Sequence, residues 1–425
     1  MKKYLNRLEK ELKGLIHLAA DIASKNNMRA YLVGGFVRDL ILGVKNLDLD
    51  IVIDGDGVKF AEEFAKALKA RLICHRRFRT ATCIIFESNL KVDIATVRKE
   101  FYPHPAHLPI VSSGTLKDDL GRRDFTINAM AISINKGDFG RLIDFYNGKS
   151  DLGHKGVRIL HDLSFIDDPT RILRAIRFEK RYNFRIESRT LECLKKAVKL
   201  KMLDKVQPQR LRDELIPILK EGYPLKYLRR MQELAGCSFI NWNLFVSSQT
   251  HRLLRSIEKQ IIWFKEGCLA ERQSDYWLIY LMGLLYSLDL KDVKLICRKF
   301  VFRKQEEKIL LTYKRNSSKV VGKLNQGKIK PSTVFCLFKP LSYEEIIFIK
   351  ASYNKRNIQK YIEDFLKIYN GIRIQICGED LKKLGLAPGP SYQKILSRVL
   401  NAKLNGAVKT KGDELALIKK LGVVK

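Results

Sequence analysis

The stretch Ala30–Asp54, AYLVGGFVRDLILGVKNLDLDIVID, limits the possible folds of this chain more than any other. Its pattern predicts an apolar strand, a Gly34-Gly35 turn, a short helix and a second strand from Leu47 to Ile53. Because side chains alternate between the two faces of a strand, Asp48 and Asp50 project from the same side. Two such carboxylates can hold a divalent cation, and a glycine turn before a helix can hold a phosphate. Either signal alone also fits an ordinary strand or turn, so the functional prediction rests on their combination.

The chain carries a large excess of positive charge. Its 80 Lys and Arg residues against 46 Asp and Glu give a net charge of +34. This excess predicts a polyanionic partner, of which nucleic acid is the commonest, although a solvated basic surface without a specific partner has the same composition. A length of 425 residues predicts two or more domains.

Several other classes of protein are disfavoured by the sequence. The eight cysteines form no CxxC pair and the histidines form no HExxH motif, which argues against a disulfide framework or a zinc site. The apolar run from Tyr276 to Leu288 is shorter than the roughly 20 residues that span a bilayer. Residues 1–15 lack the apolar core of a signal peptide. We therefore expect a cytoplasmic protein without a membrane partner, and nothing in the sequence implies an obligate protein partner.

The pattern of periodicity changes along the chain. Helix and strand signals alternate over residues 1–150, whereas almost only helical periodicity follows residue 180. This order predicts an α+β chain with a mixed β-sheet first and helices afterwards. Asp93 lies on a predicted strand and is a candidate third acid beside Asp48 and Asp50, the alternative being a carboxylate bonded to backbone at the edge of the core. Residues 100–113 hold three prolines and predict a long, irregular connection.

The acids and the glycine turn together suggest a reaction. Paired divalent metals can stabilise both the attacking and the leaving oxygen of an in-line phosphoryl displacement, and Mg²⁺ suits carboxylate and phosphate ligands. A nucleoside triphosphate on the sheet and a polyanion on the basic helices would then give nucleotidyl transfer to an RNA or DNA end.

A second group of charges begins at Asp168, where Asp167-Asp168-Pro169 predicts the start of a helix. Arg171, Arg174 and Arg177 recur every three residues on the predicted helix, with Asp168 one turn before Arg171. An Asp accepts from an exocyclic amino group and an Arg donates to a ring nitrogen, so such a pair would accept cytosine and adenine and reject uracil and guanine. The structural alternatives are a helix cap before Pro169 for Asp168 and a solvated charge for Arg171.

The order of several motifs in the sequence resembles that of a known family. Five segments between residues 30 and 180 resemble, in order, the motifs of class II tRNA nucleotidyltransferases and their bacterial poly(A) polymerase relatives. These segments are VGGFVRDLILG, LDLDIVI, RRDFTINAMAI, LIDFYNGKSDL and DDPTRILRAIRF. The resemblance implies a nucleotidyltransferase head similar to DNA polymerase beta over residues 1–150, a helical neck with the base-selecting helix over 151–235, and a tRNA-binding body and tail over 236–425.

The resemblance also implies a role for each matching residue. The metal-binding catalytic acids would be Asp48 and Asp50, with Asp93 as a candidate addition. The remaining matches would bind substrate. The triphosphate would be held by Gly34, Gly35 and Arg38, and the ribose and phosphates by Arg122, Asp124 and Asn128. The base would be read by Asp168 and Arg171, and Arg174 would support the phosphates. The family usually has Glu-Asp where this chain has Asp167-Asp168, which leaves the base-reading acid in place.

The residues and the resemblance together predict a Mg²⁺-dependent enzyme that adds CMP and AMP from CTP and ATP to the tRNA 3′ end, which is the CCA addition. The alternatives are a nucleotidyltransferase that adds only A or only CC, a poly(A) polymerase, and a non-catalytic RNA-binding protein. The connection at residues 100–113 resembles the loop of the family's A-adding members, which argues against CC addition alone. It does not separate CCA addition from A addition.

Overall fold

A computed structural model describes residues 1–45, 48–86, 90–267 and 274–420. Leu47, the predicted first residue of the second strand, lies outside these ranges. The chain forms two compact units. The N-terminal unit comprises Met1–Leu215 and Arg230–Phe239, and the C-terminal unit comprises Ile216–Arg229 and Ile240–Lys425.

The first half of the chain mixes helices and strands. In order these elements are α1 (Lys2–Leu5), α2 (Lys10–Lys25), β1 (Arg29–Val33), α3 (Gly35–Leu42), β2 (Leu49–Asp54), α4 (Gly57–Ala67), β3 (Arg71–His75), β4 (Thr80–Ile84), β5 (Lys91–Thr96), β6 (Arg98–Phe101), β7 (Ile110–Ser113), α5 (Leu116–Gly121), β8 (Ala131–Ser133), β9 (Leu142–Ile143), α6 (Gly148–Gly153), β10 (Gly156–Val157), α7 (Ser164–Asp167), α8 (Arg171–Arg181), β11 (Arg185–Ile186), α9 (Ser188–Lys199), α10 (Pro208–Lys220) and α11 (Pro224–Leu234).

The described part of the remaining chain is helical. Its helices are α12 (Ser248–Glu266), α13 (Tyr276–Leu284), α14 (Leu290–Lys299), α15 (Lys304–Leu324), α16 (Pro331–Phe338), α17 (Tyr343–Ser352), α18 (Arg356–Lys367), α19 (Gly378–Lys383), α20 (Pro390–Leu404) and α21 (Lys411–Lys420). The predicted order of a mixed sheet followed by a helical region is confirmed.

The main sheet has the strand order β3-β4-β5-β2-β1-β8-β9 among the described residues. Strands β2 and β5 run parallel, while the other neighbouring pairs run antiparallel. Strand β1 lies near the centre, and its residues Ala30, Leu32 and Val33 are almost fully buried, which explains its continuous apolar sequence. Helix α4 buries the stacked rings of Phe60 and Phe64, whose centroids are 5.9 Å apart.

The turn between β1 and α3 depends on glycine. Gly34 has φ +70° and ψ −133°, a conformation that residues with a Cβ rarely adopt. A Cβ at this position would also lie 2.6 Å from Arg123 Nη1. Gly43, with φ +70°, then ends α3 in the left-handed conformation common after helices. The glycine turn thus brings backbone close to a guanidinium.

Two boundary predictions are wrong. Residues 100–113 are not irregular throughout, because β6 and β7 form a hairpin in which Phe101 pairs with Ile110. The prolines are confined to its tip, residues 102–109, where no ladder hydrogen bonds are needed. Helix α8 begins at Arg171 rather than at the Asp168-Pro169 pair, since Asp168 ends α7 in an extended conformation.

The C-terminal unit contains helices packed around large buried side chains, including Phe264, Phe300, Phe338 and Phe348. Its last three helices enclose a cluster formed by Ile376, Leu381, Ile395, Val399 and Ile418. None of the helices in the described ranges combines the length and apolar character needed to cross a bilayer.

Candidate active site

A cavity of about 650 Å³ in the N-terminal unit collects side chains from distant parts of the chain. It brings together all the predicted site residues except Asp93: Gly34, Gly35, Arg38, Asp48, Asp50, Arg122, Asp124, Asn128, Asp168, Arg171 and Arg174. Its described lining also includes Lys45, Glu100, Tyr102, Arg123, Arg177, Arg181 and Glu214. Because both basic and acidic groups line it, the cavity suits a ligand that combines phosphates with a cation.

Two acids lie on one side of the cavity. Asp50 is on β2 and Asp48 directly precedes this strand, so both project from the same face. Burial raises the pKa of Asp50 to about 6; Arg123 opposes this increase, while the charges of Asp93 and Asp48 add to it. Carboxylates that repel one another beside a cavity form a donor set that fits Mg²⁺, which prefers oxygen ligands.

Asp93 occupies a different position. It is the register partner of Asp50 on the parallel strand β5, yet it does not contribute to the lining. Its Oδ1 accepts from the Thr82 hydroxyl at 2.6 Å, and its Oδ2 accepts from Lys91 Nζ at 2.8 Å. No group of three or more His, Cys, Asp or Glu side chains arranged for a metal occurs among the described residues. In this conformation both Asp93 oxygens have protein partners, so its metal-binding role remains a prediction.

Arg38 is almost fully buried. Its Nε and Nη2 donate to the two oxygens of Asp39 at 2.8 and 3.0 Å, and Nη1 donates to Asn128 Oδ1 at 2.5 Å. The guanidinium also lies 5.2 Å from the ring centroid of Phe178 and 4.8 Å from that of Tyr182. These contacts fix α3 against α8, so Arg38 faces the cavity from a rigid position.

Arg123 is a site residue that was not predicted from the sequence. Its Nη2 donates to Asp119 Oδ2 at 3.1 Å, its Nη1 reaches the Gly34 turn, and its charge lowers the pKa of Asp50 against the effect of burial. Its Nε is buried without a hydrogen-bond partner among the described residues. The adjacent pair Arg122-Arg123 was the available signal, but the sequence did not show which guanidinium approaches the glycine turn.

Arg122 connects α5 to the β6–β7 hairpin. It donates to Asp119 Oδ1 through Nε at 3.0 Å and Nη2 at 2.8 Å, and to Glu100 Oε1 through Nη1 at 2.8 Å. Asp119 is fully buried. The guanidinium of Arg122 therefore has carboxylate partners inside the protein, and it anchors the base of the hairpin beside the cavity.

Asp124 is the centre of a second group of charges in the cavity lining, one that is compensated by hydrogen bonds and an ion pair. Its Oδ1 accepts from Asn128 Nδ2 at 2.9 Å and its Oδ2 accepts from Arg174 Nε at 2.7 Å. Arg174 also donates to Glu214 Oε1 at 3.1 Å. Burial opposes ionisation of Asp124, but the attraction of Arg174 and the hydrogen bonds outweigh it and lower the pKa to about 2. Asp124 is therefore an ionised anchor for Asn128 and Arg174.

The two predicted base-reading residues differ in exposure. Arg171 is 4% exposed, and it donates to Ser164 Oγ at 2.6 Å and to the Arg122 carbonyl at 2.8 Å. Asp168 has 18% of its side chain exposed. The structure thus places both groups in the cavity lining, with the Arg171 guanidinium fixed by hydrogen bonds and the carboxylate more accessible.

Comparison with known proteins gives a consistent result. The family described as "Poly A polymerase head domain" matches residues 30–158, and "Probable RNA and SrmB-binding site of polymerase A" matches residues 183–235. The first family match contains the glycine turn, both acids and the Arg122–Asn128 segment.

Similar proteins cover nearly the whole chain. An A-adding tRNA nucleotidyltransferase of Geobacter sulfurreducens is 37% identical over 94% of this chain, which spans 46% of that relative's length. An A-adding tRNA nucleotidyltransferase of Halalkalibacterium halodurans is 32% identical over 94% of this chain and 90% of that relative's length. The structure of the Thermotoga maritima CCA-adding enzyme complexed with tRNA is similar with a TM-score of 0.73, at 34% identity, covering 99% of this chain and 98% of that chain.

The sequence motifs, the mixed-sheet fold followed by helices, and these similarities agree with one another. The chain therefore belongs to the class II tRNA nucleotidyltransferase family.

Proposed function

We propose that this chain transfers AMP from ATP to the 3′ end of tRNA without a nucleic-acid template. The observation that carries the proposal is the single cavity shared by the Asp48 and Asp50 carboxylates, the Gly34 turn with Arg123, and the Asp168 and Arg171 side chains. These groups are suited to a metal ion, a triphosphate and a base, which a metal-bound nucleoside triphosphate brings together.

The chemistry at the acid side follows from its donor set. Asp48 and Asp50 would hold Mg²⁺, which supplies charge stabilisation for the attacking 3′-hydroxyl oxygen and for the departing pyrophosphate. The Gly34 turn and Arg123 would bind and orient the triphosphate, since backbone N–H groups and a guanidinium both favour phosphate oxygens. Asn128, anchored by Asp124 and Arg38, would position the ribose.

Base selection would depend on Asp168 and Arg171, which line the same cavity. Asp168 would accept a hydrogen bond from an exocyclic amino group, and Arg171 would donate to the neighbouring ring nitrogen. Uracil and guanine present a carbonyl and a ring N–H at these positions, which would leave buried polar groups unpaired. This pairing accepts both adenine and cytosine.

The choice between nucleotides rests on the relatives. Two A-adding tRNA nucleotidyltransferases are similar over 94% of this chain, which favours AMP as the nucleotide added. Full CCA addition is the second candidate, because the Thermotoga maritima CCA-adding enzyme is similar in structure at 34% identity. The net charge of +34 agrees with RNA binding by the basic helices. A tRNA substrate would agree with a cytoplasmic location.

Three tRNA substrates distinguish these candidates. Purified protein is incubated with Mg²⁺ and tRNA that ends before CCA, in C, or in CC, each with CTP, ATP or both. We expect AMP to be added to the tRNA ending in CC, with no CMP added to the shorter tRNAs. CMP incorporation into the shorter tRNAs would replace the A-adding proposal with CCA addition, and no incorporation into any substrate would refute transfer altogether.

A further inference from the structure

Arg210, in the first turn of α10, connects two parts of the N-terminal unit that are far apart in sequence. Its Nη2 donates to Asp168 Oδ1 at 2.7 Å, and its Nη1 donates to the Ala106 carbonyl oxygen at 3.1 Å. The Arg210 and Asp168 side chains are only 20% and 18% exposed, so the ion pair is largely shielded from water. One guanidinium thus holds both the proposed base-reading acid and the tip of the β6–β7 hairpin.

The hydrogen bonds to Asp168 are unevenly distributed between its two oxygens. Oδ1 accepts from Arg210 Nη2, from Thr170 N at 3.1 Å and from Thr170 Oγ1 at 2.6 Å. In the described part of the chain, no hydrogen bond reaches Oδ2. Because a carboxylate is planar, fixing Oδ1 from several directions also fixes the orientation of Oδ2. Oδ2 is consequently the oxygen left to accept from a nucleobase in the cavity.

The hairpin tip is bound through Ala106. This residue is buried, with φ +64°, and its backbone nitrogen donates to the carbonyl oxygens of both Ile166 and Asp167, each at 3.2 Å. Its own carbonyl accepts from Arg210. The tip therefore docks by backbone hydrogen bonds against the residues that directly precede Asp168.

We propose that Arg210 is a positioning residue that determines base specificity by presenting Asp168 Oδ2 to the incoming base. The same guanidinium couples this orientation to docking of the hairpin tip, because the fork of an Arg can bond a carboxylate and a carbonyl simultaneously. The inference rests on the proposed function, since it assigns Asp168 to base reading. It goes beyond that function by adding a residue that lies outside the cavity lining.

Two substitutions at Arg210 test its contacts. Arg210→Met keeps much of the length and removes every donor, whereas Arg210→Lys keeps the charge but has one nitrogen instead of the Arg fork. Arg212→Met is the matched control, because Arg212 is on the same helix and pairs with Asp213. Far-UV circular dichroism checks that each variant is folded.

The readouts are kcat and KM for ATP, CTP, GTP and UTP with tRNA ending in CC, and the rate of proteolysis within residues 102–109. For Arg210→Met we expect the preference for ATP over GTP in kcat/KM to fall about tenfold, chiefly through a higher KM for ATP. Arg210→Lys should retain more of the preference. Both variants should be cleaved faster at the hairpin tip, and Arg212→Met should match the wild type in both assays.

The outcomes distinguish this inference from the proposed function. If folded Arg210→Met keeps the wild-type base preference while Asp168→Ala loses it, base reading by Asp168 stands and the role of Arg210 is refuted. Unchanged proteolysis in both Arg210 variants would refute the coupling to the hairpin tip. If the wild-type protein incorporates no nucleotide, the proposed function fails, and the inference fails with it.

Discussion

Asp50 and Asp124 line the same cavity, yet their environments shift their pKa values in opposite directions. Burial raises the pKa of Asp50 to about 6, where Arg123 is opposed by two further acids. Burial also acts on Asp124, but Arg174 and Asn128 outweigh it and lower the pKa to about 2. One side of the cavity, which contains Asp124 and Arg174, balances its own charges. The other side, which contains Asp48 and Asp50, has an excess of negative charge that an external cation would neutralise.

The largest effects should follow substitution on the acid side. Asp48→Asn or Asp50→Asn should lower kcat about 10³-fold or more, because each removes a charge that the proposed metal requires. Unfolding by urea should show little loss of stability, since burial disfavours the Asp50 carboxylate more than the charge of Arg123 favours it. Asp93→Asn is the comparison variant. Its kcat should decrease by less than about tenfold, because both Asp93 oxygens already accept hydrogen bonds from protein groups. A decrease as large as that of Asp50→Asn would assign Asp93 to the metal.

The opposite result is expected on the balanced side. Arg174→Met should lower the free energy of unfolding by about 3 kcal/mol, because it leaves the buried Asp124 carboxylate without its cation. Arg189→Met is a suitable control, since Arg189 forms an exposed pair with Asp162 and its loss should not change stability measurably. Equal urea midpoints for Arg174→Met and the wild type would contradict the description of this side as structural.

A comparison of two glycines tests whether the position of Arg123 depends on the Gly34 turn. Gly34→Ala should reduce kcat/KM about tenfold to a hundredfold, because both the φ of +70° and the Arg123 guanidinium resist a Cβ there. Gly43→Ala has the same φ but open space around the added carbon, so it should cost about 1 kcal/mol of stability and leave kcat/KM unchanged. Similar kinetic effects at both positions would mean that Arg123 does not depend on the turn.

The lowered pKa of Asp124 makes the stability of the fold depend on pH. The folded-state pKa of Asp124 is below its ordinary value of 3.8, so the stabilisation is present above pH 4 and is lost as the pH falls towards 2. The amount is about 2 kcal/mol for a shift of this size. Urea unfolding between pH 5 and pH 2 should show a shallower loss for Asp124→Asn than for the wild type. Parallel curves would contradict the lowered pKa.

The sequence predicted those parts of the fold and cavity that depend on local pattern. Alternation and the glycine pair were enough to predict the β1–α3–β2 unit and to place Asp48 and Asp50 on one face. The approach of Arg123 to Gly34 depends on how α5 packs, and the engagement of Asp93 depends on its pairing with Thr82 on β4. Strands β6 and β7 were not predicted, because the three prolines between Phe101 and Ser113 indicated an irregular connection. Arg210 lies 42 residues from Asp168, so their contact appears only in the folded chain.

The most direct test of base reading in the cavity is incorporation by Asp168→Asn with tRNA ending in CC and each of the four nucleoside triphosphates. An Asn amide donates where the Asp carboxylate only accepts, so it can pair with the carbonyl of guanine or uracil. We predict that the ratio of GMP to AMP incorporated rises at least about tenfold over the wild type. An unchanged ratio in a folded, active variant would contradict the assignment of Asp168 to base reading.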